Sequence, residues 1–157
     1  MRKFFLIVCF LLGGCSTNGS FENGINDFTQ IIKYVNQQIE KQEWKFGLFQ
    51  ENSLTTEKIK QLYALDDTIA SKTVVYLSIS SAQINEIAFF LIDDTMQETV
   101  KNAIIFRKQQ LHEQWDTHID GAKELIDQAK EGRIGQYYYF IIGIDAENMV
   151  NYISNYS

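Results

Sequence analysis

Two histidines, His112 and His118, draw the eye first, because Glu113, Asp116 and Asp120 stand around them. Imidazoles among carboxylates are the material of metal sites and proton transfer. A zinc-binding helix, however, needs its histidines at i and i+4, on one face. A spacing of six sets these two rings far apart around a helix unless the chain bends near Thr117, so they read as solvated surface side chains. Asp66-Asp67 and Asp93-Asp94 are paired carboxylates, a pattern that suits a hard cation or acid–base work. Both pairs adjoin the ends of expected elements, where aspartate caps helices and opens turns. Neither is followed by the spaced Asp/Asn, glycine and glutamate of a calcium loop. Ser78, Ser80 and Ser81 lack the G-x-S-x-G setting of a nucleophile elbow. Gly132 and Gly135, in "EGRIGQ", lack the preceding strand and following helix of a phosphate loop. No catalytic residue, metal or cofactor is assigned from these patterns.

Tyr137, Tyr138 and Tyr139 are the candidate binding residues. In a strand, Tyr137 and Tyr139 share one face while Tyr138 points to the other. Exposed, that pair would stack on sugar rings. The same residues also suit a strand for structural reasons, since tyrosine is a good β former with an apolar body.

The one cysteine with a clear chemical role is Cys15. Arg2 and Lys3 give a positive start, and Phe4 to Leu12 form an unbroken apolar run. That run is too short to cross a ~30 Å hydrocarbon core as a helix. A positive end, a short apolar stretch and small residues before a cleavage point make a secretory signal. Leu12-Gly13-Gly14-Cys15 resembles the bacterial lipobox. The resemblance implies a diacylglyceryl thioether on Cys15 and cleavage between Gly14 and Cys15. Two acyl chains anchor stably where one would be marginal. Cys9 would leave with the signal, so the mature domain would carry neither free thiol nor disulfide. The expected organisation is a signal peptide over 1–14, a lipidated, polar tether over 15–24, and one domain over 25–157. The expected location is the extracytoplasmic face of a cell membrane, with lipid on Cys15 as the link to the bilayer.

The whole chain has 157 residues, 45% of them hydrophobic, and a net charge of −6; losing Arg2 and Lys3 makes it two units more negative. That sign argues against nucleic acid, which rewards clusters of lysine and arginine.

These residues need elements to hold them. Phe28, Ile31, Ile32, Val35 and Ile39 recur at helical spacing after the capping residues Asn26 and Asp27. Trp44 to Phe49 fits a strand or an apolar loop. A short helix follows from Thr56 to Tyr63. "TVVYLSIS" (73–80) and "EIAFFLI" (86–92) read as strands joined in a hairpin. Thr95 and Glu98 form a capping-box pattern before a helix whose stripe holds Val100, Ala103, Ile104, Leu111 and Trp115. "DTHIDG" bends the chain into a second helix that buries Ile119, Ala122, Ile126 and Ala129 and leaves at Gly132. Tyr137 to Ile144 is the strongest strand, and Asp145 caps a last helix with Met149, Val150 and Ile153 facing inward. The order helix, helix, strand, strand, helix, helix, strand, helix predicts an α+β fold. Its sheet is expected to be small and antiparallel, of about three strands, with helices packed on one face.

The succession "LYALDD", "YLSISSAQINEIAFFLIDD", "VKNAIIFRKQQL" and "GQYYYFIIGID" behind a lipoprotein signal resembles the small Gram-positive lipoproteins of the domain of unknown function 4358 family. The resemblance runs from about Asn52 to the C-terminus. It implies no activity of its own, and a family label is no mechanism. The expected function is a non-catalytic, membrane-anchored binding or scaffold module, its partner an envelope protein or glycan. The alternatives are an accessory role in cell-surface polysaccharide modification and, third, an envelope hydrolase or transferase.

Overall fold

A computed structural model describes the backbone of residues 21–156 and the side chains of residues 28–155. Residues 1–14, expected to be a signal peptide, and Cys15 lie outside the described residues. Among the described residues six helices and four strands follow in chain order: α1 (Phe21–Glu40), α2 (Thr56–Tyr63), α3 (Asp67–Ala70), β1 (Thr73–Leu77), β2 (Glu86–Leu91), α4 (Gln97–Trp115), α5 (Ala122–Asp127), β3 (Lys130–Ile134), β4 (Tyr137–Ile142) and α6 (Ala146–Tyr156). The strands form one antiparallel sheet in the order β1-β2-β4-β3. The α+β class is as expected, with four strands where about three were expected.

The additional strand is β3. Its sequence, "KEGRI", lies where the second of the mid-chain helices was expected to run on to Gly132; α5 instead stops at Asp127. Ile134 pairs with Tyr137 across a two-residue turn, Gly135-Gln136. Gly135 holds φ +57°, the backbone a first turn position needs in a hairpin of this length. Gly132 sits opposite Tyr139, whose phenol lies across the missing side chain: a Cβ there would come within 2.6 Å of its oxygen.

Helices cover both faces of the sheet, correcting the expectation of one. Side chains alternate along each strand. Val75, Ala88, Phe90, Tyr138, Phe140 and Ile142 meet α2, α3, α4 and α5 in one core. Val74, Tyr76, Ile87, Phe89 and Ile141 meet α1, α6 and the loop residues Phe46 and Phe49 in the other. The physical reason is visible in the strands. β1, β2 and β4 are nearly continuous apolar runs, and a strand without polar alternation must be buried on both sides.

Local corrections have local causes. Trp44 to Phe49 is a loop with a single bridge, Phe49 to Ser78. The Asn36 side chain holds it, accepting from Phe49 N at 2.8 Å and donating to Phe49 O at 2.9 Å. The adjoining chain shields the outer edge of β1 through Gln50 N to Leu77 O and Leu54 N to Val75 O. α1 begins at Phe21, so residues 21–24, expected in the tether, are helical. The capping box at Thr95 and Glu98 does not form; Asp93 takes that place, accepting from Thr95 N at 2.8 Å and Met96 N at 3.2 Å.

Candidate functional site

The most unusual chemistry in the molecule is a buried charge pair. Glu86 opens β2, and alternation puts it on the same face as Ala88 and Phe90, beneath α4. Arg107 stands in the middle of α4, three residues after Ile104 and four before Leu111, within the apolar stripe of that helix. Glu86 is 2% exposed and Arg107 6%. An isolated charge at such depth would cost several kcal/mol, so each requires the other. Arg107 Nη2 and Nε donate to Glu86 Oε2 at 2.7 and 3.0 Å, and Nε also reaches Oε1 at 3.2 Å. Tyr63, in the last turn of α2, donates its hydroxyl to Glu86 Oε1. Its ring stands edge-on to Phe90 and Phe140, with centroids 5.2 and 6.4 Å away. Gln110, one turn along α4, accepts from Arg107 Nη1 at 3.3 Å.

The electrostatics follow from this packing. Burial first, then the Glu86 charge, hold the Tyr63 phenol well above the ordinary tyrosine value, so it stays a donor. Burial works against the Arg107 charge, but the Coulombic pull of Glu86 and its hydrogen bonds outweigh burial, and the guanidinium stays protonated.

This pair is not sealed away. Glu86 and Arg107 form part of the wall of a cleft of about 240 Å³ between the β1–β2 turn and the C-terminal part of α4. Ser78, Ser80 and Gln83 line it from the turn, Gln114 and Trp115 from α4, and Lys58 from α2. The serines order the turn: Ser78 Oγ accepts from Ser80 N at 3.1 Å, and Ser80 Oγ from Ala82 N at 3.3 Å. The cleft therefore presents hydroxyls, amides, one indole, an ammonium and a fixed guanidinium–carboxylate pair, set among the apolar side chains of Leu62, Leu77, Ile84 and Leu111.

The other sequence candidates go elsewhere. His112 Nδ1 lies 2.9 Å from Asp116, and its Nε2 lies 3.3 Å from Asp127 at the end of α5. His118 sits in the turn after α4, its Nδ1 3.2 Å from Thr117 Oγ1. The two histidines do not come together. Asp66 caps α3 through Ile69 N at 3.0 Å, and Asp67 pairs with Lys60 at 2.8 Å. Asp94 pairs with Arg133 at 2.7 Å. Tyr137 and Tyr139 share the α1/α6 face and are half-buried against its core; Tyr137 stands edge-on to Phe28 at 4.8 Å. Among the described residues no group of three or more His, Cys, Asp or Glu side chains is placed to hold a metal ion.

A four-stranded antiparallel sheet between two helical layers, with a cleft beside a buried ion pair, defines the class. The model of the family described as Domain of unknown function (DUF4358) matches residues 42–143, well over half of the chain, and the protein belongs to that family. The match takes in the whole sheet, α2 to α5, and both members of the ion pair. Neither the curated proteins nor the solved structures yielded a match.

Proposed function

We propose that the protein is a non-catalytic binding module of the bacterial cell envelope, tethered by lipid on Cys15 and presenting the cleft beside Glu86 and Arg107 to a polar ligand such as an envelope glycan. The observation that carries this reading is the arrangement of that cleft. Glu86 and Arg107 satisfy one another, and the cleft's hydroxyls, amides, Lys58 ammonium and Trp115 indole are groups that recognise polyhydroxyl surfaces. What supports a role without catalysis is the engagement of the titratable groups. Glu86 accepts from Arg107 and Tyr63, while His112 turns both ring nitrogens to Asp116 and Asp127, leaving neither to activate the cleft serines. The tether is supported by the signal-like run and Leu12-Gly13-Gly14-Cys15.

Titration of the full chain in detergent micelles with soluble peptidoglycan glycan fragments tests this reading. In a Trp44→Phe background Trp115 is the remaining indole, and its fluorescence reports on the cleft. Saturable change that is weakened in both Gln83→Ala and Gln114→Ala, two amides of the cleft wall, is the expected outcome. No change at millimolar fragment, or change that persists in both variants, would overturn the glycan reading.

A further inference from the structure

The two edges of the sheet are treated differently. β1 is shielded by the 48–54 segment, whereas no other backbone hydrogen-bonds to the outer edge of β3 among the described residues. A two-residue hairpin turn is closed by a hydrogen-bonded pair, so Ile134, Gly132 and Lys130 direct their backbone groups to β4. Alternation then aims those of Glu131 and Arg133 outward. Both side chains are exposed. An open edge of this kind is a template for a further strand.

We infer that β3 pairs antiparallel with β3 of a second copy, in the single register centred on Gly132, joining two four-stranded sheets into one of eight. Edge-to-edge pairing of identical antiparallel strands places the two-fold axis perpendicular to the sheet, and this keeps each face on its own side. Only residues of the same face then oppose each other, which restricts the centre of symmetry to a residue. Centring on Glu131 sets the two Glu131 carboxylates opposite each other, and centring on Arg133 sets the two guanidinium groups together. Centring on Gly132 sets Glu131 opposite the partner copy's Arg133, twice by symmetry. The same register turns the outward backbone groups of Glu131 and Arg133 toward their counterparts. It leaves Gly132 at the closely spaced central pair, about 4.5 Å between Cα atoms, where the glycine adds no side chain of its own beneath the Tyr139 phenol that lies over it. Arg133 uses Nε on Gly135 O at 3.0 Å and Nη1 on Asp94 at 2.7 Å, and its Nη2 remains directed to neither. Like charges along an edge keep strands apart; here the charges about the glycine are self-complementary.

Sedimentation velocity of the full chain in density-matched micelles over a range of protein concentration is the test. The wild type should show a concentration-dependent dimer. Glu131→Arg and Arg133→Glu should each weaken it roughly tenfold, because each creates two like-charge contacts. The combined Glu131→Arg/Arg133→Glu swap should restore it, which mere loss of the Asp94 contact would not. Amide exchange at residues 131 and 133 should slow as the dimer fills. A wild type that stays monomeric at all concentrations, single variants that dimerise as well as wild type, or a swap that fails to restore pairing would each overturn the inference. Protection of these amides only on adding another envelope protein would give the edge to that chain and overturn self-pairing.

Discussion

Arg107 occupies a position that its helix otherwise reserves for apolar side chains, and Glu86 begins a strand that is buried on both faces. Pairing makes this tolerable. Removing one partner leaves the other charged and dry, so Glu86→Gln and Arg107→Met should each destabilise the fold by about 3–5 kcal/mol in urea unfolding. Replacing the whole network by apolar groups, Glu86→Leu with Arg107→Met and Tyr63→Phe, should cost less than either single change. Equal or larger loss in the triple variant would contradict the account. The phenols give a pH dependence. Tyr63, Tyr76, Tyr138 and Tyr139 all have raised values, each first because burial opposes the phenolate. The unfolded chain loses these protons near the ordinary value of about 10 while the folded chain keeps them. Their contribution is therefore complete below pH 10 and is lost as pH rises toward the folded values. The urea midpoint should fall between pH 8 and pH 11, and Tyr63→Phe should flatten that fall. An unchanged slope in Tyr63→Phe would remove Tyr63 from the explanation.

At the scale of the element, one glycine fixes how the loop before α2 meets the end of β4. A Cβ on Gly143 would fall 1.7 Å from Cε1 of Phe46, a ring of the α1/α6 core. Gly143→Ala must displace that ring, and on the order of 2–3 kcal/mol should be lost in thermal or urea unfolding. Neutral behaviour would mean the loop relaxes freely. Much of this architecture could be read in the chain: β1, β2, β4, the β1–β2 hairpin and the stripe of α4 all announce themselves by pattern. β3 did not, because an exposed edge strand is charged and carries no apolar alternation. The two-sided burial was legible in "TVVYL" and "EIAFFL", whose lack of alternation excludes a solvated face. The ion pair was legible in part, since an arginine at i+3 from Ile104 and i−4 from Leu111 requires a buried acceptor. Which acceptor could not be read, because Glu86 is 21 residues away and topology alone brings it there. The family match stops short of α1 and α6, the two helices that cover the second face.

For the whole molecule, charge and anchorage belong together. The chain is acidic overall, and an acidic surface is repelled by anionic headgroups rather than drawn to them. Among the described residues no helix is long and apolar enough to cross a membrane. Attachment through lipid on Cys15 would therefore be insensitive to salt, whereas an electrostatic contact would weaken as ionic strength rises. High-salt washing should leave the protein with the membrane fraction; release by salt would count against the tether. The most direct measurement is the intact mass of the membrane-bound protein beside the distribution of Cys15→Ser. The account predicts a chain that starts at Cys15 and carries a diacylglyceryl group, and a Cys15→Ser form without acyl mass that leaves the processed membrane-bound pool. An unacylated wild type, or a Cys15→Ser protein anchored and processed as before, would contradict it.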